Sequence, residues 1–261
     1  MRIDSIAKLE GVVRDAGRMA LARQRAMRFS DRSFKDDGSI ITATDSEVEK
    51  LVADAITVLF PFANVLGEES VRRVDPARPY TFAVDPIDGT DSFSQGLPGW
   101  CISIGLLDGG LEPVAGIVFA PVLDMLVLAD VGCAPTCNGA PAQPGLDRIS
   151  PNVNLMLSSR LHQDLDLSGF VGKIRSLGSA ALQLCAPWVF PGVIAALQGR
   201  GAHIWDIAGA HAIARAGGGD LEWLRGGTVD YSKLMDGSGV EDVIVAGSPA
   251  SIAAIRGALA S

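Results

Sequence analysis

Residues 84–93 read Val84-Asp85-Pro86-Ile87-Asp88-Gly89-Thr90-Asp91-Ser92-Phe93, and the strand-like residues 80–84 lead into them. The stretch places three carboxylates within seven positions, and Pro and Gly interrupt them. A strand that runs into such a turn delivers its acidic groups to the end of a sheet, in an irregular loop. Closely packed oxygen ligands suit a hard cation such as Mg²⁺, and Gly89-Thr90 leave backbone N–H groups available to a phosphate. In isolation, the same residues also make an ordinary surface turn.

Three other stretches carry the same kinds of residue. Gly67-Glu68-Glu69-Ser70 follows a short strand-like run, Trp205-Asp206-Ile207-Ala208-Gly209-Ala210 opens a helical pattern, and Lys35 precedes Thr42-Ala43-Thr44-Asp45. The order K…T-x-x-D, G-E-E, D-P-I-D-G-T, W-D-x-A-(G/A) resembles the inositol monophosphatase family of Mg²⁺-dependent, Li⁺-sensitive phosphatases. The resemblance covers roughly residues 30–250. The superfamily also includes fructose-1,6-bisphosphatases, 3′(2′),5′-bisphosphate nucleotidases and a group of histidinol-phosphate phosphatases.

The resemblance implies a layered α-β-α-β-α sandwich, mixed α+β and α/β in class, with the metal site between two lobes. At 261 residues the chain is long enough for one large domain or two lobes that share a core. Residues 140–150 carry Pro141, Pro144 and Gly145, which favour a boundary there. We therefore predict an N-terminal α+β lobe, 1–145, with most of the metal ligands, and a C-terminal α/β lobe, 146–261.

Apolar periodicity predicts where the helices and strands lie. In the N-terminal lobe it predicts helices at 4–28 and 46–60 and strands at 40–42, 64–66, 80–84, 101–106, 114–119 and 125–129. In the C-terminal lobe it predicts strands at 153–158, 202–204 and 243–246 and helices at 161–172, 179–186, 206–216 and 249–258. Asp45 is predicted to cap the second helix, whose buried stripe would be Val48, Leu51, Val52, Ala55 and Leu59.

Composition excludes several classes of partner. The net charge of -8 disfavours nucleic-acid polymers and anionic membranes. The N-terminus leads into a charged amphipathic helix rather than an apolar signal segment, and no apolar run is long enough to span a membrane. The four cysteines are expected to be reduced thiols, and Cys133-x-x-x-Cys137 lacks the second pair of ligands that a zinc site needs. We expect a cytoplasmic protein, and the family resemblance implies a small-molecule phosphate ester as its substrate.

The resemblance implies two to three Mg²⁺ ions, for which Mn²⁺ is an expected substitute. The implied ligands are Glu68, Asp85 and the backbone carbonyl of Ile87 for the first ion, and Asp85, Asp88 and Asp206 for the second. Glu69 resembles the residue near a third, weaker position. A shared Asp85 is physically reasonable, because two cations about 3.5–4 Å apart need an anion between them.

The resemblance also implies the groups that act on water and substrate. Thr90 would hold the attacking water, Asp45 would accept a proton from Thr90, and Glu68 completes the catalytic set. The backbone N–H groups of Gly89 and Thr90 would bind the phosphate, with Lys35 adding positive potential. The leaving group would face residues that resemble the family's substrate loop, Gly178, Ser179 and Ala180, together with Arg200. Singly, these residues also have simpler interpretations, since Asp45, Ser179 and Asp206 are all placed to cap helices.

One position departs from the family pattern. Members that hydrolyse inositol phosphate have a glutamate seven residues before the W-D aspartate, where this chain has Gly199. Inositol phosphate is therefore an uncertain substrate, and Arg200 raises the possibility of a second anionic group, as in a bisphosphate. Bisphosphate nucleotidase, fructose-1,6-bisphosphatase and histidinol-phosphate phosphatase activities stay open, as does a lapsed regulator that binds metal without turnover. The resemblance further implies Li⁺ inhibition and a homodimer.

Overall fold

The computed structural model describes residues 3–27, 33–34, 40–70 and 74–259, and its helices and sheets stack in the order α-β-α-β-α. This confirms the sandwich that the resemblance implies. Lys35 lies outside the described residues. No helix in the described part of the chain is both long and apolar enough to cross a membrane.

Two helices form the first layer, α1 (Glu10–Ala26) and α2 (Ala43–Leu59). A short antiparallel pair, β1 (Ser33–Phe34) and β2 (Ile40–Ile41), lies between them in sequence. The predicted start of α2 is wrong by three residues. Thr42 is the N-cap and Asp45 is the third helical residue, because the Asp45 carboxylate reaches back to the Thr42 backbone N–H at 2.9 Å.

The face that α2 buries also differs in part from the prediction. Leu51 and Leu59 are 46% and 39% exposed, whereas Glu49 is 4% exposed and Ile56 is fully buried. The face that meets the sheet follows the helical spacing of three and four from Asp45, and Leu51 and Leu59 fall off it. A buried acid on this face is unusual, because a carboxylate is buried only when it is hydrogen-bonded or paired.

The second layer is a seven-stranded sheet in the order β3-β4-β5-β6-β7-β8-β9. Its strands are β3 (Ala63–Gly67), β4 (Tyr80–Asp88), β5 (Cys101–Leu107), β6 (Pro113–Ala120), β7 (Met125–Ala129), β8 (Thr136–Cys137) and β9 (Ala140–Pro141). Only the β3–β4 pair is parallel. The register of β4 against β5 shifts between Asp85 and Asp88, which marks an irregularity at Pro86-Ile87. The short helix α3 (Thr90–Ser94) follows at once.

The third to fifth layers come from the C-terminal half. They contain α4 (Ala180–Val189), α5 (Ile204–Ala216), α6 (Pro249–Leu259), and a five-stranded sheet made of β11 (Lys173–Arg175), β10 (Asn154–Leu157), β12 (Val193–Gln198), β14 (Ile244–Gly247) and β13 (Asp220–Trp223), in that order. Helix α5 packs on β5 and β6, α4 packs on β12, and α6 packs on the five-stranded sheet. Helices α4 and α5 contact each other and form the middle layer.

Two C-terminal predictions are wrong. The predicted helix 161–172 is only the 3₁₀ turn Leu161–Gln163, after which Asp166 accepts a hydrogen bond from the Ser168 N–H and turns the chain. The predicted strand 202–204 leads into α5, and the strand lies earlier, at Val193–Gln198. That apolar segment is buried on both faces, so it shows no alternation that would have identified it.

Glycines set how closely α5 approaches the seven-stranded sheet. A Cβ at Gly105 would lie 2.5 Å from the Ala208 Cβ, and a Cβ at Gly116 would collide with the backbone of Gly209. The helix therefore lies directly on the strands. The largest buried cluster includes residues of both sheets, so the two predicted lobes share a core. Their boundary after residue 145 stays a prediction.

Candidate active site

Three carboxylates from two elements meet between the sheets. Asp85 and Asp88 lie at the end of β4, and Asp206 lies in the first turn of α5. Each offers one oxygen, and these oxygens all lie within 4.8 Å of one another. Asp85 and Asp88 are buried and Asp206 is half-buried. Within the described ranges, no other group of three acidic, Cys or His side chains has such spacing.

The three carboxylates destabilise one another in the charged form. Burial raises the pKa of Asp85 well above its ordinary value, and the charges of Glu68, Asp88 and Asp206 raise it further. Burial, with the charge of Asp206, raises the pKa of Asp88 to about 7. No Lys or Arg among the described residues forms an ion pair with Asp85 or Asp88. Hard oxygen donors in this arrangement fit Mg²⁺ or Mn²⁺, which would supply the missing positive charge.

Asp88 also joins the carboxylates to the predicted substrate loop. It accepts hydrogen bonds from the Ser179 hydroxyl at 2.5 Å, the Ala181 N–H at 2.5 Å and the Ala180 N–H at 3.1 Å. These donors form the start of α4, with Ser179 as its N-cap. Cys101, which the sequence analysis did not single out, places its Sγ 3.8 Å from Asp88 and 3.2 Å from the Ser179 hydroxyl.

Asp45 and Thr90 form the pair that the sequence analysis predicts. Thr90 Oγ1 lies 3.2 Å from Asp45 Oδ1 and 2.9 Å from the carbonyl oxygen of Ile87. The other Asp45 oxygen accepts from the Thr42 hydroxyl at 2.5 Å, so Asp45 both closes the start of α2 and faces Thr90. Burial raises the pKa of Asp45 to about 6. Asp206 likewise accepts from the His203 N–H at 2.5 Å, as a residue closing the start of a helix does.

Glu68 and Glu69 have different neighbours. The charge of Glu68 raises the pKa of both Asp45 and Asp85, which places Glu68 beside them but outside the three-carboxylate group. Glu69 lines a cavity of about 310 Å³ together with Ser46, Glu49 and Lys50. The roles of Glu68, Glu69 and Lys35 stay predictions.

Backbone contacts bring the D-G-T turn against the substrate loop. Gly89 has φ +92°, and a Cβ there would lie 2.8 Å from the carbonyl oxygens of both Gly99 and Gly178. Gly178 itself has φ +89°. Only glycine meets both requirements without strain, so the turn that carries Thr90 and the loop that carries Ser179 lie in direct contact.

A cavity of about 280 Å³ opens from the carboxylates towards solvent. Its lining includes every predicted substrate residue, and also residues that the sequence analysis missed: Ser158, Ser159, Ser176, Gln183 and Gln198. Arg200 is exposed and forms no hydrogen bond or ion pair with the described residues. The N–H of Gly199 donates to the Ser158 hydroxyl at 3.1 Å, and no acidic side chain replaces the absent glutamate within the lining except Asp88 and Asp206. The missed residues come from separate segments, so no local motif could have identified them.

Comparisons with known proteins agree with this geometry. Residues 5–246 match the inositol monophosphatase family. The chain is 33% identical to inositol monophosphatase 1 of Sus scrofa over 211 residues, 73% of each chain. It is 26% identical to the 3′(2′),5′-bisphosphate nucleotidase CysQ of Buchnera aphidicola over 238 residues, 88% of this chain and 87% of the relative. The crystal structure of the extragenic suppressor protein suhB from Bartonella henselae superposes with a TM-score of 0.82 at 25% identity and covers 97% of both chains.

Proposed function

Because this chain belongs to the inositol monophosphatase family and is a phosphoric monoester hydrolase, we propose that it uses Mg²⁺ to hydrolyse a small phosphate ester that carries a second anionic group. The observation that carries the metal-dependent chemistry is the convergence of Asp85, Asp88 and Asp206 within 4.8 Å beside the Asp45–Thr90 pair. A carboxylate cluster without a neighbouring cation is costly in a folded protein unless a ligand supplies the charge. Mn²⁺ is the proposed substitute for Mg²⁺.

The proposed ligands are the side chains of Glu68, Asp85, Asp88 and Asp206 and the carbonyl oxygen of Ile87. When bound, divalent ions neutralise charge on the phosphoryl oxygens and make a bound water more acidic. Asp88 is held by three donors at the start of α4, so its oxygens are fixed before any ligand arrives. The irregularity in β4 between Asp85 and Asp88 lets both carboxylates point to the same side of the strand end.

Thr90 and Asp45 are proposed to move the proton of the attacking water. The Thr90 hydroxyl has one proton and two nearby acceptors, Asp45 and the carbonyl of Ile87. When the Thr90 hydroxyl donates its hydrogen bond to Asp45, a lone pair on Oγ1 is free to accept a hydrogen bond from the water. As the water attacks phosphorus, its proton passes to Thr90 and the Thr90 proton passes to Asp45. A carboxyl group whose pKa is about 6 is suited to this role near neutral pH.

The cavity supports the proposal of a second anion on the leaving group. Its rim offers hydroxyl groups of Ser158, Ser159 and Ser176 and the guanidinium of Arg200, all of which donate hydrogen bonds. The carboxylate that would accept from sugar-ring hydroxyls is absent at Gly199. A bisphosphate with one phosphoryl group at Thr90 and the other at Arg200 fits this distribution of donors. Inositol monophosphate is the second candidate, on the strength of the 33% identical relative.

A phosphate-release assay tests the function. Enzyme treated with EDTA should be inactive, recover with added Mg²⁺ or Mn²⁺, and prefer adenosine 3′,5′-bisphosphate to adenosine 3′-monophosphate and to inositol 1-phosphate. Full activity in EDTA would exclude the metal-dependent mechanism. Metal binding without turnover of any ester tested would indicate a lapsed regulator instead.

Two neighbouring positions separate the substrate candidates. Arg200→Ala should lower kcat/KM for the bisphosphate by about 10- to 150-fold and leave kcat/KM for the monophosphate unchanged, because a hydrogen bond to a charged group is worth about 1.5–3 kcal/mol. Gly199→Glu should raise kcat/KM for inositol 1-phosphate by about 10- to 150-fold by the same conversion. Gly199 is not among the glycines with positive φ, so the glutamate meets no backbone strain there. If the wild-type enzyme prefers inositol 1-phosphate to the bisphosphate, the proposal that the substrate carries a second anionic group is rejected.

Three finer properties are part of the same proposal, two from the family resemblance and one from the cysteines and the charged N-terminal segment. They are inhibition by Li⁺, a homodimeric assembly and a cytoplasmic location. Gel filtration with light scattering and a Li⁺ titration of the phosphate-release assay test the first two directly.

A further inference from the structure

We infer that Glu49, a buried carboxylate on α2, is a positioning residue that fixes Glu68 and thereby sets the metal affinity of the site. The inference rests on the proposed metal-dependent function. Glu49 is 4% exposed and lies four residues after Asp45, so the two acids occupy the same face of the helix. Asp45 faces Thr90, whereas Glu49 faces the loop that carries Glu68.

Glu49 contacts the residues on both sides of Glu68. Its Oε2 accepts a hydrogen bond from the Glu69 N–H at 2.7 Å, and its Oε1 accepts one from the Ser70 hydroxyl. A Cβ at Gly67 would lie 2.5 Å from Oε2, so the carboxylate packs directly on the Gly67 backbone. One side chain therefore holds the segment before and after the proposed metal ligand.

These contacts begin where the strand pairing ends. The parallel β3–β4 ladder ends at Gly67 opposite Val84, and the Glu68 N–H donates to the Val84 carbonyl at 3.1 Å. The next N–H, that of Glu69, donates to Glu49 instead. The backbone is thus held on both sides of the Glu68 Cα, which restricts the direction in which the Glu68 side chain leaves the loop.

An apolar residue at position 49 would pack as well but could not perform this task. It would leave the Glu69 N–H, which is partly buried, without its acceptor, and so release this part of the loop. Groups that orient the ligands of a metal typically change metal affinity by about 10–100-fold when they are removed. Glu68 is also the proposed ligand whose position depends on a loop beyond the end of its strand, whereas Asp85 and Asp88 lie within β4.

Isothermal titration calorimetry of Mg²⁺ into the EDTA-treated and dialysed protein tests the inference, with kcat measured at saturating Mg²⁺ as a second readout. Glu49→Ala should raise the Kd for Mg²⁺ by about 10–100-fold and leave kcat within about threefold. Glu49→Gln should give a smaller increase, about threefold to tenfold, because its amide oxygen still accepts from the Glu69 N–H. The Mg²⁺-induced rise in Tm should shrink in the same order.

Val52→Ala is the matched control, because Val52 is fully buried on the same helix. It should lower Tm without changing the Kd for Mg²⁺, and a Kd that follows Tm in all three variants would overturn the inference. An unchanged Kd in Glu49→Gln would also overturn it. Glu49→Gln keeps the side-chain volume, so it tests the inference even if Glu49→Ala does not fold. Failure of the proposed function itself gives a different result, because wild-type protein would then show no Mg²⁺ binding and no loss of activity in EDTA.

Discussion

The two ends of α5 hold buried charge in opposite ways. At its first turn, Asp206 meets Asp85 and Asp88, which are like charges within 4.8 Å. Further along the same helix, His211 Nε2 lies 2.6 Å from Asp220 Oδ1, and Arg215 Nε lies 3.4 Å from the same oxygen. No Lys or Arg of the described residues forms an ion pair with Asp85 or Asp88, whereas the second group contains its own cation, Arg215.

The pKa shifts follow this difference. Burial raises the pKa of Asp85 and Asp88, and neighbouring carboxylates add to the effect. Burial would raise the pKa of Asp220, but the hydrogen bonds with His211 and the Leu221 N–H and the charge of Arg215 outweigh it, and the pKa of Asp220 is lowered. Burial lowers the pKa of His211, which favours the neutral ring. The comparison teaches that buried carboxylates with basic partners have lowered pKa values, whereas buried carboxylates beside like charges have raised ones and are candidates for a functional site.

Removing one carboxylate from each cluster should give opposite results. Asp85→Asn should lower kcat/KM by about 10⁴-fold or more, since the loss of metal-supplied charge stabilisation amounts to roughly 5 kcal/mol. The same change should raise the Tm of the metal-free protein, because it relieves repulsion while the amide oxygen still accepts from the Ile87 N–H. Activity assays and thermal denaturation in EDTA measure the two effects.

Asp220→Ala provides the other half of the comparison. It leaves the buried His211 Nε2 without an acceptor, which costs about 1–3 kcal/mol, and Tm should fall by several degrees. The Mg²⁺ concentration that gives half-maximal activity should stay the same. If Asp85→Asn were less stable than wild type in EDTA, the two clusters would not differ as described.

The Asp45–Thr90 pair should have the next largest effect. Thr90→Ala and Asp45→Asn should each lower kcat by about 10²–10⁴-fold, the usual contribution of proton transfer, with little change in KM. The kcat of the double variant should be only slightly lower than that of the less active single variant, because both changes break the same proton path. Steady-state kinetics at saturating Mg²⁺ measure this. Losses that multiply would show that the two residues act separately.

The smallest effect is the pH dependence of stability. The folded-state pKa values of about 6 for Asp45 and about 7 for Asp88 lie above the ordinary value of 3.8. Stability from such groups is fully present below pH 3.8 and is lost as pH rises through 6 and 7. The difference between Tm with Mg²⁺ and Tm with EDTA should therefore widen by a few degrees from pH 5 to 7.5.

Burial lowers the pKa of His211, and the contribution of this group to stability is common to both conditions and cancels in the difference. A constant difference across this range would mean that the carboxylates are already compensated within the folded chain. In the Asp85→Asn variant this Tm difference should change less with pH, since the substitution removes one of the interacting charges.

Local sequence patterns predicted the parts of the molecule that depend on nearby residues. Asp85 and Asp88 lie in the last four residues of β4, which extends beyond the predicted 80–84, and Thr90 follows two residues later, so their placement needs only the strand and its turn. The pairing of Asp45 with Thr90 is also present, although 45 positions separate them. There the family resemblance supplied the partner, because no periodicity relates a helix start to a distant turn.

Residues whose roles depend on tertiary contacts were missed. Glu49 follows Asp45 by four positions, a spacing that places it on the buried face, yet charged residues are usually assigned to solvent. Strand β12 was missed because its residues are uniformly apolar, which fits a buried helix as well as a buried strand. The helix predicted at 161–172 is wrong because the leucines at 161, 165 and 167 match helical spacing only in part. The Asp166 side chain instead accepts a hydrogen bond from the Ser168 N–H and forms a turn.

The glycine contacts between α5 and the seven-stranded sheet have a consequence for mutational tolerance. Gly116 and Gly209 are in backbone contact because neither has a side chain, and this contact sets how far Asp206 lies from Asp85. We expect a single added methyl group there to shift α5, and Asp206 with it, without altering any polar residue. The exposed rim around Ser159 and Arg200 has no such constraint. Libraries that aim at new substrates can therefore vary the rim freely, while these two glycines should be kept as fixed as the aspartates.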